Sequence, residues 1–260
     1  MVAVAAGNTV RPGLALLNAD AYTQPYGPPV LQVATADGAA LEAARRDRAE
    51  AVFVAHVTLE ETHASNVRVT IAGMQPDLSP LVVMTPRSAW WTCTAERGGG
   101  IVVWLEYLRH FVDHPPLRPV IFTANTGHEL GHVGLDQYLR LHEPLVKNAH
   151  AWVHLGANFA AADGSIHLQA SSQQLMRGLK SELAAVGQSI HRATPIKTRP
   201  LGEARNIYDG GGHYVSILGS NPLFHHPEDR WPAAVDLPRT LALTRGLVNV
   251  VVGLAKSSQR

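Results

Sequence analysis

The chain has 260 residues, 46% hydrophobic and 17% charged, which suits one large domain with at most a small appendage and excludes a disordered chain. A formal net charge of +1 with no Lys/Arg run gives no field to steer nucleic acid or anionic membrane, and no apolar run reaches membrane-spanning length. One cysteine, Cys93, excludes an intrachain disulfide but fits a reducing compartment and an exported enzyme equally well, so the compartment stays open.

The opening MVAVAAGNTVRPG is apolar but has no basic leading region, so it is not read as a signal peptide. Pro29–Thr35 reads as a strand, and Asp37–Ala49 as an Ala/Arg-rich helix with Asp37 as its cap. Ala51–Thr58 (AVFVAHVT) is expected to form a second strand, Asn66–Ala72 an alternating half-buried strand, and Leu81–Met84 a short buried one. Gly98–Gly100 opens a helix over Ile101–Phe111, stopped by Pro115-Pro116. Pro119–Ala124 is a continuous apolar run, as a central parallel strand requires.

A turn and a helix through Leu141 follow. Ala151–Leu155 is then a strand, Ser172–Ala185 a helix, Tyr214–Leu218 a strand and Leu237–Leu254 a closing helix. The alternation predicts a three-layer α/β fold, a mostly parallel (mixed) central sheet with helices on both faces.

The most conspicuous motif is Thr126–Gly134, TGHELGHVG, whose HELGH matches H-E-x-x-H. In a zincin both His sit one turn apart inside a long helix, and the Glu between them activates a zinc-bound water. Here the motif leaves a buried strand through Asn-Thr-Gly, which puts His128 and Glu129 in the strand exit or a first helical turn. That is where α/β enzymes place functional residues, but it is not a zincin helix. The zincin remains the weaker alternative.

Four segments, in order, resemble the di-zinc aminopeptidase family that also includes the glutaminyl cyclases. Glu96–Glu106 lies on its D-N-x-S-G-V-x-x-L-L-E segment. Ile121–Gly134 lies on F-x-A-x-x-x-E-E-x-G-L-x-G-S, Val153–Gly156 on N-L-D, and Phe224–Arg230 on Y-H-T-x-x-D-T. The resemblance implies a catalytic domain over 62–260, preceded in 1–61 by a partial protease-associated-like segment or extension.

The resemblance also implies a site. Both ligands unique to the first metal are missing, because the H-x-D place reads Thr85-Pro86-Arg87 and the N-L-D place reads His154-Leu155-Gly156. Arg87 puts a cation where the family has a carboxylate. Glu96, Glu129 and His225 remain as ligands for a single zinc ion. His128 stands in for the general base beside Glu129, a role a neutral imidazole near its ordinary pKa can fill. Glu96 is longer than the family's Asp by one C–C bond, about 1.5 Å.

His226, Asp229, His132 and His154 are alternative ligands or orienting groups, and His213 is placed near a strand end on the same side. Arg87, Trp90 and Trp91 are candidate pocket walls, and Cys93 is expected to be a buried, inert residue. The expected activity is hydrolysis or cyclisation of a peptide or small amide near a free amino terminus. The alternative is a catalytically inactive member of the fold that binds or scaffolds, and the site is expected to hold one zinc ion or none.

Overall fold

The computed structural model describes residues 3–6, 11–20, 22, 24, 29–58 and 60–258. The reading of the opening residues falls partly outside these. Two short parallel strands, β1 (Ala3–Ala6) and β2 (Val30–Val33), form a small sheet of their own, followed by helix α1 (Gly38–Arg46).

The main sheet has seven strands in the order β3-β5-β4-β6-β9-β7-β8. They are β3 (Val67–Ile71), β4 (Leu81–Pro86), β5 (Val120–Asn125), β6 (Ala151–Leu155), β7 (Ile166–Ala170), β8 (Arg192–Ala193) and β9 (Tyr214–Gly219). The central four, β5-β4-β6-β9, run parallel, while β3 on β5 and β7 on β9 are antiparallel.

Side-chain alternation along the strands fills two cores. Leu81, Val83, Val120, Phe122, Val153 and Leu155 face α2 (Gly99–Asp113), α5 (Gln173–Ala185) and α7 (Leu237–Lys256). The alternate positions Val82, Met84, Ile121 and Trp152 lie on the other face. These pack on α3 (Val133–Leu141), α4 (Leu145–Asn148) and α6 (Ala204–Asp209). Being covered on both sides explains why these strands read as unbroken apolar runs. Ser172 caps α5 through the Leu175 N–H, and Asp236 caps α7 through the Arg239 N–H.

The expected three-layer mixed α/β architecture is therefore present. One reading needs correction. Ala51–Thr58 forms no strand; its residues are exposed, Val52 at 90%, because β-branched composition yields a strand only where a pairing edge is available. Strand β7 and helix α6 carry no clear sequence signal, since IHLQA mixes polar and apolar residues and ARNIYD is too short for a helical period.

Candidate functional site

The carboxyl ends of the parallel strands converge where the chain passes from one side of β4 to the other, the usual position of a cleft in such sheets. The exit of β4 delivers Ser88, that of β5 delivers His128 and Glu129, and the loop after β9 delivers His225. A buried π-helical turn, Thr94–Gly98, carries Glu96 and Arg97 into the same space ahead of α2.

Glu96 and Glu129 meet on the guanidinium of Arg97, and His225 reaches Glu96 alone. Arg97 Nη2 lies 2.8 Å from Glu96 Oε1 and donates to Glu129 Oε1 at 2.7 Å, all three side chains being almost fully buried. Arg97 Nε donates to the Ser88 carbonyl at 2.7 Å. The Ser88 hydroxyl donates to the other Glu129 oxygen at 2.6 Å and accepts the His128 N–H at 3.0 Å. His225 Nε2 is 3.4 Å from Glu96 Oε1. Burial alone would raise the Glu96 pKa, but His225 and Arg97 outweigh it and hold it at about 2. Glu129 is likewise lowered, burial being overcome by Arg97 and Ser88.

Asp229 has a different task from the one expected. Its carboxylate accepts the N–H groups of Ala95 and Glu96 at 2.7 and 3.0 Å and the Asn221 amide at 3.1 Å, so it fastens the π turn and orients no histidine. Cys93, in the left-handed region at φ 42°, precedes that turn and is fully buried, with a thiol pushed up to about 12 by burial and by Glu96. Cys93, Glu96 and Asp229 place ligand-type atoms within 4.8 Å of one another.

The HELGH histidines lie on a 3-10 turn, His128–Leu130, and on His132, which takes a left-handed conformation before α3. A zincin's long helix is absent from this segment. Both rings are tied to α6 and the residue before it: His128 Nδ1 to Glu203 at 3.2 Å and His132 Nδ1 to Asn206 at 2.8 Å, the rings stacked 4.5 Å apart. Burial, then Arg97, keep His128 well below its ordinary pKa, and burial raises that of the fully enclosed Glu203.

His154 is buried on β6 with Nδ1 on the Ser216 hydroxyl at 2.8 Å, and burial lowers its pKa to about 3. Together His128, His132, His154 and Asn158 border a cavity of about 450 Å³.

A side chain does not fit at Gly156, the position aligned with the Asp of N-L-D. A Cβ on Gly156 would meet Leu218 at 2.3 Å and the His154 ring at 2.8 Å, and the Thr85 hydroxyl turns to the Leu155 carbonyl at 2.9 Å. Arg87 does not supply the opposing charge: it is exposed and donates to the Ser65 carbonyl. His213 lies just ahead of β9, at the amino end of the strands, so it faces away from the site, contrary to the reading of the sequence. Trp90 borders a second cavity with Ser88 and Glu129, while Trp91, 37% exposed, donates its indole N–H to the His225 carbonyl at 3.0 Å.

Sequence reasoning missed Arg97, Ser88, Glu203 and Asn206. Arg97 alone had a signal, because it stands directly beside Glu96 where the aligned segment has Asn.

No known sequence family matches the chain, and no curated protein matches it. Solved structures do. An aminopeptidase from Aneurinibacillus sp. strain AM-1 superposes with a TM-score of 0.70 at 13% identity, over 89% of this chain and 58% of that one. A peptidase M28 precursor from Shewanella amazonensis gives 0.69 at 16% identity, over 91% and 56%. A zinc aminopeptidase from Bacillus subtilis gives 0.64 at 15% identity, over 75% and 51%. The chain thus has the zinc-aminopeptidase fold and spans little more than half the length of these proteins. At such identities the fold is what is shared.

The residues present do not fit zinc as they stand. Zinc would need oxygen and nitrogen ligands at about 2.0–2.2 Å. The point between Glu96 and Glu129 is instead held by an arginine nitrogen at hydrogen-bonding distance from both, and a divalent ion beside that guanidinium would be repelled.

Proposed function

We propose that this chain is a metal-independent peptide-binding member of the zinc-aminopeptidase fold, a peptidase-like domain without hydrolytic machinery. The observation that carries the reading is Arg97: its guanidinium supplies, from within the chain, the positive charge that Glu96 and Glu129 require. A permanent cation neutralises the carboxylates but has no open coordination position at which to polarise an amide or activate water. His128 supports the same reading, since its Nδ1 is engaged by Glu203.

What is retained is the cleft. Trp90, Ser88 and Glu129 border a cavity of about 550 Å³ at the exits of β4 and β5, a setting suited to a peptide. Residues 62–260 form the binding domain in this proposal, and 1–61 an extension to it.

A second reading has one observation in its favour. Glu96 Oε1 and His225 Nε2 are buried 3.4 Å apart and neither completes a hydrogen bond, Glu96 Oε1 making only its ion pair with Arg97, so both atoms could turn to an ion. It assigns a single zinc to Glu96, Glu129 and His225, with His128 and Glu129 as the reacting pair and His226, Asp229, His132 and His154 in support. It requires Arg97 to leave its place.

Metal analysis of the chain purified without chelator and again after zinc reconstitution, alongside turnover of aminoacyl anilides, decides between the two. The proposal expects substoichiometric zinc and no turnover. Stoichiometric zinc with turnover that disappears in Glu129→Gln would establish the second reading.

A further inference from the structure

The cleft is crossed by the chain's own amino-terminal region. Residues 14–19 form no helix or strand and run across the site. His226 Nε2 meets the Pro12 carbonyl at 3.1 Å, and His225 Nδ1 the Leu16 carbonyl at 2.6 Å. A carbonyl can only accept, so each imidazole donates here. The Ala19 N–H donates to the Glu129 carbonyl at 2.8 Å, and Asp20 lies 3.8 Å from Arg205.

On its far side the segment is held by the β2 region, with the Leu17 N–H on the Gln32 amide oxygen at 2.7 Å and the Thr35 N–H on the Gly13 carbonyl at 3.3 Å. Ala15 is the buried anchor at 2% exposure, between neighbours that are half-buried or exposed. Gly13 lets the chain approach His226: it sits at φ +138°, and a Cβ there would fall 2.4 Å from the imidazole Nε2.

We infer that residues 12–20 are a tethered ligand, and that the groove formed by His225, His226 and the Glu129 backbone is a site for an extended peptide. It recognises two main-chain carbonyls four residues apart, with the buried small side chain of Ala15 between them. This deepens the reading of the domain as a peptide-binding module and rests on it. The recognition is largely through main-chain groups, as in other extended-peptide sites, and the buried Ala15 position supplies the side-chain filter.

The segment is joined to the domain, so it competes at an effective concentration of the order of millimolar, and an outside peptide engages only the fraction of molecules in which it has lifted.

The test uses the full chain and a blocked, fluorescent peptide of the sequence Arg-Pro-Gly-Leu-Ala-Leu-Leu-Asn-Ala-Asp. Ala15→Glu places a carboxylate at the buried Ala15 position. Gly13→Val, a second and independent variant, forces a β-branched residue into a positive-φ position against His226. Amide exchange at Ala19 reports release of the segment from the groove, and that at Leu17 reports its release from Gln32. Both amides are expected to be protected in the wild type and to exchange freely in the variants. With a segment seated about 99% of the time, release raises the apparent peptide affinity about a hundredfold.

A scrambled peptide should not bind. Free exchange at Leu17 and Ala19 in the wild type overturns the inference, and so does release in either variant without gain of peptide binding. Protection that depends on protein concentration also overturns it, since the occupant would then be a second copy's segment. Zinc content measured on the same samples separates this outcome from failure of the Arg97 reading: stoichiometric zinc would sink that reading whatever the peptide does.

Discussion

Arg97 Nη2 donates to Glu129 Oε1 across 2.7 Å, joining a turn before α2 to the exit of β5, with both side chains almost fully buried. The same nitrogen lies 2.8 Å from Glu96, so one guanidinium balances two carboxylates drawn from separate elements. Such a cluster is costly to interrupt, because removing one member strands the others without solvent.

Arg97→Asn should therefore lower stability by about 3–5 kcal/mol, the cost of breaking a buried ion pair. In a domain of this size each kcal/mol corresponds to roughly 2–4 °C in melting temperature. The same substitution opens the space between Glu96, Glu129 and His225. Zinc is expected to restore part of the lost melting temperature in the variant and to leave the wild type unmoved. Equal zinc responses in the two proteins would contradict the role given to Arg97.

Acid should act first on this cluster. Glu96 and Glu129 have lowered pKa values in the fold, so their contribution to stability is present above the unfolded value of about 4.3 and disappears as pH falls through the folded value. For Glu96 that value is about 2. Urea midpoints should fall between about pH 4 and pH 2, and the fall should be shallower in Glu129→Gln.

Glu203 has the opposite sign. Burial raises its pKa, so its protonated form is favoured in the fold and its contribution declines as pH rises through the folded value. Glu203→Gln keeps an acceptor for His128 Nδ1 and removes the charge. Its melting temperature at pH 8 should exceed that of the wild type by a few degrees, the effect of about 1 kcal/mol, and the difference should shrink toward pH 4. A lower melting temperature at pH 8 would show that the ionised carboxylate is needed.

The thiol of Cys93 is fully buried and pushed up to about 12. It should resist iodoacetamide in the native protein at pH 8 and react stoichiometrically once unfolded in urea, as mass spectrometry would report.

His132→Ala should cost only about 1 kcal/mol, through loss of its hydrogen bond to Asn206, and should leave zinc uptake of the Arg97→Asn protein unchanged. Loss of that uptake would revive a metal role for the second histidine of HELGH.

Much of the frame was legible before folding. Val120–Ala124 of the unbroken run PVIFTA lie in β5, whose residues are buried on both faces, and TGHELGHVG was placed correctly at its exit. The run AVFVAHVT misled for the converse reason: it has strand composition but no neighbouring edge. Arg87 and Arg97 illustrate the limit for the site. Both flank segments of the cleft, and the sequence gives no way to tell that Arg87 turns out to Ser65 while Arg97 turns in to Glu129.

The sequence by itself determined the alternation of strands and helices and the order of the loops at the carboxyl edge. They are written in unbroken apolar runs for the central strands, a period of about 3.6 residues for the longer helices, and chain order. Only the tertiary structure decided which cation meets Glu96 and Glu129 and which segment lies over His225 and His226. Residues 97 and 129, or 16 and 225, meet through strand order, the direction of one buried turn and the path of the amino-terminal segment. No local pattern records a contact between residues so far apart in the chain.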